Sequence, residues 1–192
     1  MLPDRKILAF DTAAAHCAAA LLLGDRVITR VDEMAKGQAE HLMPMLEEML
    51  AAENLTWRDL NGIGVNVGPG NFTGIRISLA AARGLALGLG KPAIGVNGFA
   101  ARAHQEGYPY TATIPAPRGH SYIQTFHSDA DVSQPELRPI PEGPQKSAHV
   151  LVAATASIAA SRLAQDNPRP APLYIRSADA APPRDPAPVL LP

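Results

Sequence analysis

The chain has 192 residues and a nearly balanced charge, with 17 Lys and Arg against 18 Asp and Glu. Its length predicts one ordinary domain or two small ones, and the balanced charge argues against a basic nucleic-acid-binding protein. Cys17 is the single cysteine, which excludes a disulfide scaffold. The longest apolar run, residues 18–23, is far shorter than the roughly 20 residues that a bilayer requires. No signal peptide is recognisable, so we expect a cytoplasmic protein that does not span a membrane.

Residues 1–106 predict regular elements in the order β-β-β-α-β-α-β-α. Strands are predicted at residues 7–11, 17–23, 26–32, 63–67 and 93–96. Helices are predicted at residues 38–52, 74–89 and 97–105. Pro44 lies early in the first helical pattern, so that helix either starts at Pro44 or begins near Gln38 and bends.

The rest of the chain is rich in proline, which hinders long regular elements, because 15 of the 19 prolines lie at or after Pro109. We therefore predict a first subdomain at 1–106, a shorter second subdomain at 107–176, and a Pro- and Ala-rich tail at 177–192. Strands are predicted at 111–114 and 121–126, a loop at 129–144, a helix at 150–163 and a last edge strand at 173–175.

The most informative stretch is the glycine loop, residues 68–76, with the sequence Gly-Pro-Gly-Asn-Phe-Thr-Gly-Ile-Arg. Because it follows a strand and opens a helix, it is a candidate phosphate or nucleotide loop. The alternative is a tight turn capped by Thr73. Asp11 and Thr12, at the end of the first strand, either hold a metal–phosphate or orient water, or cap the following turn. The candidate nucleotide or phosphate residues are Asp11, Thr12, Gly68, Gly70, Thr73 and Gly74.

Small residues, including Ala80, Gly84 and Gly88, recur along the predicted helix 74–89. Gly84 and Gly88 cost roughly 1 kcal/mol each in an exposed helix relative to Ala, which indicates a helix packed on more than one side. Either a partner docks on this helix, or the helix only packs on its own sheet. The methionines of the preceding helix favour docking slightly, because Met adapts to imperfect surfaces.

Metal and hydrolytic chemistry lack support in the sequence. No two of the six histidines have the i,i+3 or i,i+4 spacing of helical ligands. His16 and Cys17 are neighbours on a predicted strand and point to opposite faces. No Gly-x-Ser-x-Gly motif is present. We therefore expect no catalytic residue and no metal site within this chain.

Five segments together resemble one known family: residues 7–12, 40–46, 68–76, 83–87 and 91–96. They are similar to the TsaB (YeaZ) family of bacterial proteins needed to make threonylcarbamoyladenosine in tRNA, and the glycine loop is the most specific of them. The similarity is strong over residues 5–103. It implies an α/β fold like that of actin, sugar kinases and Hsp70, with two subdomains that each hold a five-stranded mixed sheet, the second subdomain being reduced here.

The resemblance also implies a role. TsaB proteins are non-catalytic paralogues of the transferase TsaD, bind it through helices of the first subdomain, and work with a P-loop ATPase, TsaE. The acceptor is the adenosine 3′-adjacent to the anticodon in tRNAs that read codons beginning with A. TsaD carries a His-x-x-x-His metal pair after the strand equivalent to residues 93–96, where this chain has Gly98 and Arg102. ATP and metal are therefore expected on the partner subunits, and none on this chain.

We thus expect a scaffolding subunit that docks on TsaD, forms a homodimer when alone, and meets tRNA only indirectly. The candidate docking residues are Leu42, Met45, Met49, Ile75, Leu79, Ala82, Arg83 and Ala86. The main alternative is an independent ATP-dependent phosphotransferase of the same fold, which would need a complete cleft between the subdomains. A shortened second subdomain is expected to leave that cleft incomplete. A metal-dependent protease is a weaker alternative, because the sequence offers no ligand set.

Overall fold

The computed structural model describes residues 5–140 and 143–175, and the predicted tail at 177–192 lies outside them. Within these residues the chain forms two sheets and four α-helices. The first sheet consists of β1 (Lys6–Asp11), β2 (His16–Leu23), β3 (Arg26–Glu33), β4 (Gly62–Asn66) and β5 (Ala93–Val96). The second consists of β6 (Tyr110–Ala116), β7 (His120–Phe126) and β8 (Glu136–Arg138). The helices are α1 (Gln38–Ala52), α2 (Phe72–Leu89), α3 (Gly98–Ala103) and α4 (Ala148–Arg162).

The first sheet is mixed and has the strand order β3-β2-β1-β4-β5. Strands β1, β2 and β3 pair antiparallel, whereas β1, β4 and β5 pair parallel. Side chains of β1 alternate between two cores, with Leu8 and Phe10 in one and Ile7 and Ala9 in the other. Helices cover both faces, which explains why the central residues of β1, 7–10, are all apolar rather than alternating. The predicted element order and the actin-like fold class are confirmed.

Helix α4 packs against the first sheet, although its residues were assigned to the second subdomain. Val152, Ala156 and Ala159 of α4 are buried in the core that contains Ile7 and Ala9 of β1. Gly64 of β4 makes room for this packing, because a Cβ there would lie 3.0 Å from that of Ala159. The chain therefore returns to the first sheet after it has formed the second. The predicted boundary between subdomains at residue 106 stays a prediction.

The second sheet is smaller than the resemblance implied. In the described part of the chain it has three antiparallel strands rather than five in a mixed sheet. Strand β8 lies inside the stretch 129–144, so the prediction of a continuous loop there was wrong. Its exposed, proline-flanked sequence lacks an apolar alternation that would have identified it. The predicted edge strand at 173–175 is not a strand, although the N–H of Leu173 donates to the carbonyl of Val67.

Helix limits follow their caps. Helix α1 begins at Gln38, so Pro44 lies inside it rather than at its start. Helix α2 begins at Phe72, two residues earlier than predicted, because the side chain of Asn71 accepts the N–H of Gly74. The predicted cap, Thr73, is already within the helix.

By length and composition, α2 meets the criterion for a membrane-spanning helix, with 18 residues and a mean hydropathy of 1.2. It contains no long uninterrupted apolar run, because Arg76 and Arg83 divide its sequence. Such a helix is weak support for a membrane span, since the core helix of a globular domain meets the same criterion. Here Ile75, Leu79 and Ala82 pack on the first sheet, and Arg83 donates to the carbonyl of Pro170.

Candidate functional site

The glycine loop packs directly against the turn that follows β1. The N–H of Asn71 donates to the carbonyl of Ala13 at 2.7 Å, and the hydroxyl of Thr12 donates to the carbonyl of Gly74 at 2.6 Å. A Cβ on Gly70 would lie 2.6 Å from the Ala13 carbonyl oxygen. A Cβ on Gly74 would overlap the carbonyl of Thr12 even more severely. Close backbone packing therefore explains these glycines, and a phosphate loop at Gly68, Gly70, Thr73 and Gly74 stays a prediction.

Asp11 is nearly buried and is held as a carboxylate by its surroundings. One carboxylate oxygen accepts the N–H of Ala13 at 2.7 Å. The other lies 3.7 Å from Nε2 of His16, a distance that is electrostatic contact rather than a hydrogen bond. Burial by itself raises the pKa of Asp11, but His16 and the Ala13 N–H outweigh it and lower that pKa below its usual range. Asp11 thus orders the turn after β1, and Thr12 is fully buried beside it.

A cleft of about 740 Å³ lies between the ends of the first sheet and the second sheet. It is lined by Asp11, His16 and Gly70 near the first sheet, by Ile114 and Tyr122 of the second sheet, and by Arg102 of α3. The cleft has the volume of an ordinary small-molecule site, and β6, β7 and the start of α4 supply part of its wall. That the shortened second subdomain leaves a nucleotide cleft incomplete stays a prediction.

No group of three or more His, Cys, Asp or Glu side chains suited to a metal ion is found among residues 5–140 and 143–175. At the two positions where the resemblance places the paralogue's metal-binding histidines, Gly98 is buried and Arg102 extends into the cleft. A Cβ on Gly98 would lie 3.1 Å from Ile114, so that position is filled by the second sheet. These two residues offer no ligand for a divalent cation.

Most of the candidate docking residues lie in the chain's own core. Six have exposed fractions of 6% or less, so they cannot reach a partner without unfolding: Leu42, Met45, Met49, Ile75, Leu79 and Ala82. The guanidinium of Arg83 is bound to Pro170, and Ala86 is half-buried. The assignment of those six as contact residues needs correction, because helical periodicity identifies an apolar face but cannot tell which of two faces meets the sheet. The assignment of Arg83 and Ala86 stays a prediction.

A second face of α2 is exposed and bears mostly small residues. This exposed face consists of Ala80, Gly84, Leu87 and Gly88. Leu87 is 87% exposed, and a Cβ added to Gly84 or Gly88 would meet nothing within 4 Å. Beside it, Met43, Trp57, Ala81, Leu85 and Leu89 complete an apolar groove of about 460 Å³ between α1 and α2. Spacing of four residues among the small side chains is the signal that identifies this face.

The chain is similar in sequence to proteins of one family. The family model described as TsaD, tRNA N6-adenosine threonylcarbamoyltransferase, matches residues 31–167, more than half of the chain. The TsaB protein of Escherichia coli strain K12 is 36% identical over 92 residues, which are 48% of this chain and 40% of that protein. The TsaB protein of Buchnera aphidicola subsp. Baizongia pistaciae is 38% identical over 88 residues, 46% of this chain and 40% of that protein. The matched region thus spans about 40% of the length of these curated relatives.

The solved structure of YeaZ from Pseudomonas aeruginosa superposes with a TM-score of 0.70 at 22% identity and covers 88% of this chain and 99% of that one. At that identity the similarity shows the fold. The sequence relatives named TsaB and the YeaZ structure are what this chain is similar to. Because the TsaD model matches more than half of its residues, the chain belongs to the TsaD family of proteins.

Proposed function

We propose that this chain takes part in the formation of threonylcarbamoyladenosine in tRNA as a non-catalytic scaffolding subunit. Its relatives named for that biosynthesis support the pathway. The proposed partners are a TsaD-type transferase, bound directly as a heterodimer, and a TsaE-type ATPase, with tRNA met only through them. The proposed target is the adenosine 3′-adjacent to the anticodon in tRNAs that read codons beginning with A. The setting is cytoplasmic, and ATP and metal belong to the partner subunits.

The observation that carries this proposal is the exposed face of α2. Two helical glycines, Gly84 and Gly88, face open space, although each costs about 1 kcal/mol relative to Ala. Nothing within the described part of the chain requires a hydrogen at those positions. Close approach of another helix does require it, and the neighbouring apolar groove offers the surface that such a helix would cover. In the absence of the transferase, a second copy of this chain is the proposed occupant.

The test is co-purification of the transferase with variants of the exposed face. Ala80→Glu places a carboxylate on that face, and burying it without a partner is strongly unfavourable, by about 3–5 kcal/mol or a binding loss of at least a hundredfold. Ala80 is exposed, so the variant keeps its own core. Val150→Glu is the matched control, because Val150 is a 49% exposed helical residue on α4, on the other side of the first sheet.

The expected result is loss of the transferase with Ala80→Glu and retention with Val150→Glu. Equal recovery with both variants would show that the docking surface lies elsewhere. Leu79→Glu and Ala82→Glu are unsuitable for this test, because both side chains are buried in the core and their replacement would unfold the chain.

One observation favours the alternative of an independent ATP-dependent phosphotransferase: the cleft is large enough for a small molecule. Two observations argue against it. The Thr12 hydroxyl already donates to the carbonyl of Gly74, and close packing explains Gly70 and Gly74 without a phosphate. Titration of ATP with magnesium into the isolated chain tests it. Micromolar binding with turnover would favour the phosphotransferase, whereas the scaffolding role predicts neither.

A further inference from the structure

The apolar groove between α1 and α2 contains large side chains that nothing in the described part of the chain covers. Met43, Trp57, Leu85 and Leu89 line this groove, which has a volume of about 460 Å³. All four are only partly buried, and Leu87 of the neighbouring exposed face is 87% exposed. Contiguous apolar surface of this kind marks a site that binds another apolar group.

The last described residues of the chain lie beside the start of α2. The ring centre of Tyr174 is 5.2 Å from that of Phe72, and the Tyr174 hydroxyl accepts a hydrogen bond from Nε of Arg76 at 3.2 Å. Phe72 and Arg76 are exposed, and the exposed residues Ala80 and Gly84 follow them at intervals of four. Residues four apart form a continuous row on a helix surface. An exposed row therefore leads from Tyr174 to the groove, which Ala80 and Gly84 also line.

The sequence beyond residue 175 contains one short run of branched aliphatic side chains. Residues 176–188 have alanine and proline as their only apolar residues, and residues 189–191 follow with the sequence Val-Leu-Leu. The thirteen residues 176–188 can span at most about 43 Å, at roughly 3.3 Å each. The distance along α2 from Phe72 to Leu85 is about 20 Å, at 1.5 Å per residue. The aliphatic run is therefore within reach of the groove.

We propose that Val189, Leu190 and Leu191 bind in the apolar groove of the same chain, against Trp57 and Leu85. A tether of this length gives the run an effective concentration on the order of millimolar, and burial of one leucine side chain favours the contact by about tenfold to hundredfold. A transferase or a second copy of the chain then has to displace this segment. That competition rests on the proposed function, whereas the contact itself rests on the groove, the tether and the aliphatic run.

The experiment is acrylamide quenching of the fluorescence of Trp57, the single tryptophan, in the full chain. The test variant combines Leu190→Asp with Leu191→Asp and so removes the aliphatic run. The matched control combines Ala180→Asp with Ala181→Asp, which adds the same two charges to the tether. The cores described above contain none of these residues, so both variants keep them. Measurement at several chain concentrations separates a contact within one chain from a contact between two copies.

Loss of both leucines should lower the ratio of covered to open grooves by about a hundredfold or more. The quenching constant of Trp57 should therefore rise in the leucine variant, with a red shift of its emission, and the control should match the unmodified chain at every concentration. Equal quenching in the unmodified chain and the leucine variant, an equal rise in the control, or protection that grows with chain concentration would overturn the proposal. A rise confined to the leucine variant supports the contact whether or not transferase binding also becomes tighter, because only the transferase result bears on the proposed function.

Discussion

Replacing a glycine of α2 by alanine should raise the free energy of unfolding at Gly84 and lower it at Gly74. At Gly84 an added Cβ meets nothing within 4 Å, so Gly84→Ala changes only helix propensity. The expected gain in the free energy of unfolding is about 1 kcal/mol, or about 2–4 °C in the melting temperature of a chain of this size. The isolated chain should therefore become more stable.

At Gly74 an added Cβ collides with backbone rather than with a flexible side chain. It would lie 2.8 Å from the carbonyl carbon of Thr12 and closer still to its oxygen. Relief requires moving the start of α2 away from the β1 turn, which also breaks the hydrogen bond from the Thr12 hydroxyl to the Gly74 carbonyl. Gly74→Ala should lower the free energy of unfolding by about 1–3 kcal/mol or more, despite the same gain in helix propensity.

Urea unfolding at low protein concentration, where self-association does not contribute, measures both variants. The two free energies should differ by about 2–4 kcal/mol with unchanged m-values. A destabilised Gly84→Ala in the monomer would refute the idea that this glycine is dispensable to the chain itself. With the transferase present, Gly84→Ala should instead be unfavourable and weaken binding, because the added methyl group occupies the partner's space.

Three other predictions concern the core and the packing of residues 166–175. The pKa of Asp11 is lowered in the folded chain, so its stabilisation is present above its unfolded pKa of about 3.9 and is lost as the pH falls through the folded value. In urea unfolding, Asp11→Asn should therefore lose more free energy of unfolding at pH 7 than at pH 3. An equal loss at both would contradict this. Burial, with Asp32 and Asp11, raises the pKa of the Cys17 thiol to about 11; alkylation at pH 8, followed by mass spectrometry, should occur only in urea. Arg83→Met removes the anchor on Pro170 and should accelerate hydrogen exchange of the Leu173 amide, whereas unchanged exchange would show that the anchor is unimportant.

The elements of the first half follow from the sequence because each carries its own local signal. The apolar run of β1, the helical spacing of α1 and the strand-to-helix glycine loop are all local patterns, and they correspond to observed elements. Strand β8 has only three residues and little apolar character. It exists through pairing with β7, a contact distant in sequence that no local pattern reports.

The docking residues illustrate a different limit. Leu79 and Ala82 have the helical spacing expected of a contact face, and they do form one, but with the chain's own sheet. Which side of a helix meets the sheet depends on the geometry of the β4–α2 connection, which the sequence does not reveal. Gly84 and Gly88 were more informative, because glycine in a helix has a cost that the chain itself does not explain.

The cleft could not have been predicted from sequence, because it depends on where the second sheet sits relative to the first. Arg102 was identified in the sequence only as a residue that replaces a histidine. The structure adds that its guanidinium donates to Gly98 and contacts Gln145, whereas its Nε has no hydrogen-bond partner among the described residues.

The central claim is that this chain supports tRNA threonylcarbamoylation through the exposed face of α2 without performing the chemistry. The most direct measurement is threonylcarbamoyladenosine formed in a reconstituted reaction with the TsaD-type transferase and the TsaE-type ATPase, with this chain, with Ala80→Glu, with Val150→Glu, and with no such chain. The account predicts modified tRNA with the unmodified chain and with Val150→Glu, and little with Ala80→Glu or without the chain. Full modification without the chain, or with Ala80→Glu, or by this chain alone, would contradict it.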